Sequence, residues 1–251
     1  MTAFRSILAL TVTLSLVALP LVPAHAGPIN QIPYASVGPS LVNFEDVAGV
    51  AFPGVVYNGI LVSGGASLAE RFVGQTLSFN GDNDVLSATA TGPLTLQVGA
   101  ANQNLDVGTD NGTHNLLGCG PRGCADPNGY GEGSFAILFP GLVSEFGYQG
   151  FFADSGGLTT TVDFFASDGS LIDSITVTGN GSFGFQRQGG VQDIAGVSIY
   201  TLDPGGLAYD NITFDTPGQG PHQTSEPMTL LLIGAGLLGV GLLNRERGRR
   251  A

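Results

Sequence analysis

Few side chains outside the two ends of the chain could carry out chemistry. Nucleophilic catalysis needs a serine or cysteine beside a base that a third group holds in place. The only histidines after residue 26 are His114, in a polar stretch, and His222, and no G-x-S-x-G sequence occurs. Glycoside hydrolysis needs two carboxyl groups about 5 to 9.5 Å apart, a distance that some pair among the many acids meets by chance. The sequence therefore predicts no catalytic residue.

The two cysteines, Cys119 and Cys124, stand in the sequence CGPRGC. Outside the cytoplasm a close pair is most simply a disulfide that closes a small loop. Two alternatives stay open, namely free thiols and a metal site to which His114 and Asp126 would add ligands. A redox pair is not indicated, because its cysteines would be spaced C-x-x-C on a helix.

The body of the chain, residues 27–217, is strongly acidic. It contains all of the 20 acids except Glu226 and Glu246, no lysine, and only Arg71, Arg122 and Arg187 among the eight arginines, so its net charge is −15. No nucleic-acid partner is expected, because binding needs lysine and arginine to displace counterions. An acidic surface attracts divalent cations and keeps the protein soluble by self-repulsion.

The elements that position these residues are predicted to be strands. Short runs rich in β-branched and aromatic residues alternate with turn signals, and helical periodicity is almost absent. We predict an all-β fold, a single jelly-roll-like β-sandwich domain over 27–217. A Gly/Asn-rich section, residues 100–133, is predicted to lie outside the sheets because it has few apolar residues. The strand-like runs are 41–46, 54–62, 71–79, 93–99, 134–141, 143–152, 158–166, 171–179, 181–188, 194–202 and 207–215.

Turn chemistry adds detail to this prediction. Asp168-Gly169 and Asn180-Gly181 each join two strand-like runs and predict β-hairpins. The apolar residues around the first turn, from Val162 to Ile175, stay on one buried face only if the hairpin contains a bulge.

The N-terminus predicts a secretory signal peptide over residues 1–26. Arg5 supplies a positive charge, an uncharged apolar stretch follows over 7–19, and Pro20 ends it. Small residues at 24 and 26 are those that a signal peptidase recognises, so cleavage is predicted after Ala26. The alternative is a retained anchor, for which the apolar stretch falls short of the roughly 20 residues that a span needs.

The C-terminus predicts a single transmembrane helix over 228–244. The apolar run 228–243 would cover about 24 Å as a helix against a hydrocarbon core of about 30 Å, a gap that snorkelling and local thinning can close. Four arginines follow within 245–251, and the positive-inside rule predicts that this tail is cytoplasmic. A buried core helix is the alternative, but it would leave the arginines unexplained.

Ser225, Glu226 and Pro227, together with the apolar helix and the terminal arginines, resemble the PEP-CTERM sorting signal of Gram-negative bacteria. The family pattern is Pro-Glu-Pro, and Ser225 replaces the first proline. The resemblance covers 225–251 and implies that an exosortase-type enzyme processes the chain near a linker, 218–227. It also implies that the protein is exported through the inner membrane, is anchored there temporarily, and then reaches the cell surface or the extracellular matrix. Proteins with this signal are often associated with exopolysaccharide.

The sequence GLAYDNITF, residues 206–214, is similar to the closing strand of jelly rolls of the carbohydrate-binding-module type. In those domains a carboxylate on the opening strand and one on the closing strand often share a structural calcium ion. The resemblance places these two carboxylates at Glu45 and Asp210, which can meet only if the terminal strands pair. The alternative is that both are ordinary solvated acids.

These observations predict an exported, non-catalytic protein of the cell surface or extracellular matrix that binds exopolysaccharide. Two other interpretations stay open: a secreted hydrolase of matrix glycans, and a purely structural surface protein that binds no sugar. Aromatic side chains could form a sugar-stacking face, and the candidates are Tyr57, Tyr130, Tyr148 and Tyr200.

Overall fold

The computed structural model describes residues 28–51, 53–81, 84–110, 112–124, 133–151, 159–202 and 206–215. These residues form nineteen β-strands and two short 3-10 turns, Tyr34–Ser36 and Gln188–Gly190, and no α-helix occurs among them. The prediction of an all-β fold is confirmed.

The strands vary from two to nine residues. In chain order they are β1 (Ile29–Ile32), β2 (Ser40–Val42), β3 (Val50–Ala51), β4 (Val55–Tyr57), β5 (Leu61–Ser63), β6 (Ala66–Ala69), β7 (Arg71–Phe72), β8 (Thr76–Phe79), β9 (Asp84–Ser87), β10 (Leu96–Gln97), β11 (Leu105–Asp110), β12 (Thr113–Gly118), β13 (Phe135–Val143), β14 (Glu145–Phe151), β15 (Thr159–Phe165), β16 (Leu171–Thr178), β17 (Gly181–Arg187), β18 (Ile194–Thr201) and β19 (Ala208–Phe214).

Two large sheets contain most of these strands. Sheet A has the order β1-β17-β14-β19-β12-β11-β3, with β4 also paired to β11 and β2 paired to β19. Sheet B has the order β16-β15-β18-β13-β6-β5. All pairs in both sheets are antiparallel except β11 with β3. Two further pairs, β7 with β10 and β8 with β9, lie outside these sheets.

The main core lies between sheets A and B. Phe146 in β14 of sheet A has its ring centroid 6.2 Å from that of Phe164 in β15 of sheet B. Tyr209 in β19 similarly lies 4.8 Å from Phe135 in β13. All four side chains are fully buried. Alternation along the strands places one apolar face of each sheet against the other, as in a β-sandwich.

A second, smaller core covers the outer face of sheet B. Phe72, Leu94 and Leu96, from the segment between β6 and β11, pack with Phe165 and the alanines of β13 and β18. The rings of Phe72 and Phe165 meet edge to face, with centroids 5.4 Å apart. The segment therefore adds a partial third layer.

The prediction that residues 100–133 leave the sheets is wrong for the part that the structure describes. β11 and β12 fall in this section, and β12 pairs directly with β19 in sheet A. Leu105, Val107 and Leu116 are completely buried. Three apolar side chains are enough for these strands, because one face meets the core while glycine, asparagine and threonine occupy other positions.

The two turn predictions have different outcomes. Asp168-Gly169 does join a hairpin, β15 to β16, and the expected bulge is present as a register shift between Phe164 and Phe165. Asn180-Gly181 does not form a hairpin, because β16 belongs to sheet B and β17 to sheet A. This turn crosses from one sheet to the other.

Tyr148 is not available as a sugar-stacking residue, because its side chain is fully buried in the core. Its hydroxyl has no hydrogen-bond partner among the described residues, and burial raises the pKa of Tyr148 well above the usual value. An unpaired buried hydroxyl costs folding free energy, so Tyr148→Phe is expected to raise the free energy of unfolding by about 1 kcal/mol. Urea unfolding measures this. The control is Tyr34→Phe, which loses the 2.5 Å bond to the Asn211 carbonyl and should destabilise the protein.

Candidate cation site at the junction of β2, β12 and β19

The candidate site lies where β2 and β12 share one edge of β19. β12 pairs with the first half of β19, at Leu116 opposite Tyr209, and β2 pairs with the second half, at Val42 opposite Ile212. Between the two contacts, the register of β19 against β14 shifts, which marks a bulge. The chain that leaves β2 therefore runs beside the start of β12. The opening and closing parts of the body are adjacent, as a shared ion would require.

Glu45 and His114 hold each other at this junction. The backbone N–H of His114 donates to Glu45 Oε1 over 2.9 Å, and the ring Nδ1 lies 3.9 Å from Glu45 Oε2. His114 Nδ1 is also 2.8 Å from the carbonyl oxygen of Phe44. A carbonyl only accepts hydrogen bonds, so Nδ1 carries the proton in this contact. The Glu45 side chain remains 46 % exposed.

Asp210, the second predicted ligand, is buried beside this pair. Only 4 % of the residue is exposed, and its two carboxylate oxygens accept hydrogen bonds from the backbone and side-chain nitrogens of Asn211, at 2.6 and 3.1 Å. The pKa of Asp210 is raised to about 6, chiefly because burial removes water from the carboxylate. The charge of Glu45 raises this pKa further, while the Asn211 backbone bond and His114 act in the opposite direction.

Backbone strain accompanies the two carboxylates. Four non-glycine residues in the described chain have positive φ, and two of them adjoin the site: Phe44, with φ 61°, before Glu45, and Asn211, with φ 49°, after Asp210. Such conformations cost roughly 1 to 3 kcal/mol each and persist where the surrounding structure holds them, often around ligands. Here Asn211 is held by Tyr34 and by Gln149, which accepts its side-chain N–H at 2.8 Å.

Asp46 fixes the loop that carries Glu45. Its carboxylate accepts hydrogen bonds from Ser63 Oγ, at the end of β5, at 2.5 Å and from the Gly64 N–H, in the turn that follows, at 2.9 Å. These bonds lower the pKa of Asp46. The loop after β2 is thereby tied to sheet B on one side and, through Glu45, to sheet A on the other.

The oxygen-rich character of the junction favours a hard cation. Within the described residues, no group of three or more histidine, cysteine, aspartate or glutamate side chains is arranged to hold a metal ion. A site here would therefore use Glu45 and Asp210 with backbone carbonyls and water. Calcium accepts such a set, because it takes about six to eight oxygen ligands of mixed origin. Among the described residues, Asn211 alone donates hydrogen bonds to the buried Asp210 carboxylate, so a cation could supply the remaining solvation.

The two cysteines form a disulfide with Cα atoms 4.5 Å apart. The loop that it closes packs on residues 102–104, because the N–H of Cys124 donates to the Asn102 carbonyl at 2.7 Å and that of Cys119 to the Asn104 carbonyl at 3.2 Å. Both sulfur atoms are bonded to each other, so neither is a thiolate that could bind a metal with His114.

Sequence reasoning did not identify His114 as part of the site. It lies in β12, at the position opposite Thr109 of β11, and not in a loop. The Gly/Asn-rich section around His114 predicted a connection outside the sheets, so the sequence did not indicate that His114 lies in a strand.

Several predicted features lie outside the described residues. They include the sorting motif Ser225, Glu226 and Pro227, the signal peptide, the linker, the transmembrane helix and the arginine-rich tail, and they stay predictions. In the part of the chain that the structure describes, there is no helix with the length and apolar character to cross a membrane.

Comparison with known proteins yields no match: no protein-family model, no curated protein and no solved structure is similar to this chain.

Proposed function

We propose that this chain is an exported protein that is anchored briefly by its C-terminal helix and then resides at the cell surface or in the extracellular matrix of a Gram-negative bacterium. The support is the pairing of a signal-peptide pattern over 1–26 with the resemblance of Ser225, Glu226 and Pro227 to a sorting motif. The processing partner is an exosortase-type enzyme. Intact mass of the native protein is expected to show loss of both ends, and an uncut chain in the cytosol would contradict the proposal.

In this role the body is a non-catalytic, jelly-roll-like sandwich whose opening and closing segments are joined by a structural calcium ion. The observation that carries this proposal is the buried Asp210 carboxylate beside a second carboxylate, Glu45. Each of the two acids adjoins a residue with positive φ, Asn211 and Phe44 respectively. Burial of an ionised group without an opposite charge is costly, and a cation offsets both the lost hydration and the mutual repulsion. Glu45 and Asp210 would hold the ion.

Calcium at 100 times its dissociation constant is expected to stabilise the folded protein by about 2.7 kcal/mol and so to raise its melting temperature by about 5 to 10 °C. EDTA should reverse the increase, and Asp210→Asn should abolish it. Differential scanning calorimetry measures both effects.

The matched control is Asp168→Asn, which alters a carboxylate in an exposed turn where Ser170 is its partner. Its response to calcium should equal that of the wild type. A wild-type melting temperature that is the same in calcium and in EDTA would refute the calcium site.

The ligand of the sandwich is proposed to be exopolysaccharide. The support is the resemblance of residues 225–251 to the PEP-CTERM sorting signal and of residues 206–214 to the closing strand of carbohydrate-binding-module jelly rolls. The acidic charge of the body also makes nucleic acid an unsuitable partner. A glycan array with the exported protein should show saturable binding without release of reducing sugar. If the protein released sugar and one aspartate or glutamate substitution abolished this turnover, the protein would instead be a glycan hydrolase. If it bound no glycan at all, it would be a purely structural surface protein.

A further inference from the structure

The outer face of sheet B is covered by the third layer over only part of its area. Phe164 of β15 and its partner Val197 of β18 lie in the main core, so the alternate residues of both strands lie on the outer face. On that face Phe72 of the third layer packs against Phe165. The part of the face nearer the start of β15 remains exposed or partly exposed to solvent.

This open part consists of two rows of side chains that cross β16, β15 and β18. The first row is Ser174, Asp163 and Ser198, and the second row is Thr176, Thr161 and Tyr200. All of these residues except Ser198 are exposed or partly exposed. Each carries a hydroxyl or a carboxyl group, and only Asp163 is charged. We call these six residues the hydroxyl face.

The third layer forms a step at one side of the hydroxyl face. Gln75 Nε2 donates to Ser198 Oγ at 3.0 Å, and Gln75 Oε1 accepts the N–H of Phe72 at 2.9 Å. The hairpin of β8 and β9 follows Gln75, and β9 lies against β18. Because Ser198 is completely buried at this step, the hydroxyl face is a shelf with a wall along one side. Such a shelf can hold an extended ligand.

The Asp163 carboxylate has one oxygen that the described part of the protein does not use. Ser174 Oγ donates to Asp163 Oδ1 at 2.6 Å, and no described residue donates to Oδ2. Burial raises the pKa of the Asp163 carboxyl, although the hydrogen bond from Ser174 acts in the opposite direction. A partly buried carboxylate oxygen without a donor favours a ligand that brings hydroxyl groups to it.

Tyr200 is a second side chain of the hydroxyl face without a partner among the described residues. Its side chain makes neither a hydrogen bond nor a ring contact with any of them, and the residue is partly exposed. Tyr200 lies diagonally across from Asp163, about 7 to 8 Å away. The two can therefore contact the same ligand. An aromatic ring offers an apolar face to the C–H groups of a sugar, while a carboxylate accepts from its hydroxyls.

We propose that the hydroxyl face is where this protein binds polysaccharide, and that the ligand is an uncharged chain held through its hydroxyl groups. This inference rests on the proposed function of binding exopolysaccharide. Serine, threonine and sugar hydroxyls all donate and accept, so they can pair in either direction. Acidic chains are disfavoured by Asp163 and by the net charge of −15 on the body. A chain of amino sugars would meet a single carboxylate among five neutral side chains.

The test begins with a glycan array of neutral, acidic and amino-sugar polysaccharides, probed with the exported protein. Calorimetric titration then uses the neutral glycan that binds most tightly. Asp163→Asn should weaken this binding at least about tenfold, because hydrogen bonds to a charged acceptor are lost. Tyr200→Ala should weaken it several-fold, and Tyr200→Phe, which keeps the ring, should weaken it less.

The matched control is Asp168→Asn, which makes the same change of charge in the turn of the same hairpin, away from the hydroxyl face. It should bind the glycan like the wild type. Melting temperatures separate loss of binding from loss of folding. Asparagine at 163 keeps an acceptor for Ser174, so the melting temperature of Asp163→Asn should stay close to that of the wild type.

The possible failures of this test are distinguishable. If the wild type binds neutral glycans and both Asp163→Asn and Tyr200→Ala bind them equally tightly, the hydroxyl face is not the site, although the proposed function stands. If only acidic or only amino-sugar chains bind, the uncharged ligand is wrong. If no glycan binds the wild type, both this inference and the proposed binding of exopolysaccharide fail.

Discussion

Replacement of Asp215 by alanine is expected to lower the free energy of unfolding by about 3 to 5 kcal/mol. The Asp215 carboxylate is 7 % exposed and accepts hydrogen bonds from the backbone N–H groups of Ser144 and Glu145, at 2.8 and 3.0 Å, and from the Ser144 hydroxyl at 2.8 Å. Gln192 Nε2 donates to it at 3.0 Å. Alanine would leave several buried donors without acceptors.

Urea unfolding at neutral pH measures this loss, with two reference variants. Asp215→Asn keeps one acceptor oxygen, so its loss of unfolding free energy should lie between that of the wild type and that of Asp215→Ala. Asp168→Ala removes a carboxylate whose partners, the N–H and hydroxyl of Ser170, are in an exposed turn, and should cost much less than Asp215→Ala. If Asp215→Ala cost no more than Asp168→Ala, the four hydrogen bonds would not contribute as the structure indicates.

The second large effect is a pH dependence that Asp210 should cause when no cation is bound. The pKa of this carboxyl is about 6 in the folded protein, against a usual value of 3.8. Between these values the folded state binds the proton more tightly than the unfolded state. The stabilisation from the protonated carboxyl is therefore complete below about pH 4 and is lost as the pH rises through 6, by an amount of the order of 2 kcal/mol.

The measurement is the difference in unfolding free energy between the wild type and Asp210→Asn, in EDTA, at several pH values. Other acids titrate in the same range, and the difference removes their contribution. The asparagine variant should become the more stable of the two as the pH rises from 4 to 7. A difference that stays constant with pH would show that Asp210 ionises in the folded protein as it does in water.

Much of the fold follows from local sequence patterns. β-branched and aromatic runs identify the strands from Phe135 onward, and the alternation around Asp168-Gly169 requires the bulge that is present at Phe164 and Phe165. Local patterns do not indicate to which sheet the next strand belongs. Asn180-Gly181 has the chemistry of a hairpin turn, yet the strands on either side of it belong to different sheets, because the choice depends on long-range packing.

The candidate site was accessible to sequence reasoning in part. The resemblance of the closing strand gave Glu45 and Asp210, and the structure brings both to one junction. His114 was missed because a strand with only a few apolar side chains reads locally as a loop. The positive φ of Phe44 and Asn211 could not be foreseen either, since neither residue type requires it and the conformation depends on contacts such as that of Tyr34.

The position of β19 has a consequence for how the protein matures. This strand is the last of the described chain, yet it lies between β14 on one side and β12 and β2 on the other. Sheet A therefore stays divided until the segment that ends at residue 214 is available to pair. Because non-local pairing forms slowly, a chaperone that holds the incomplete sheet would have the most influence at this last step of folding.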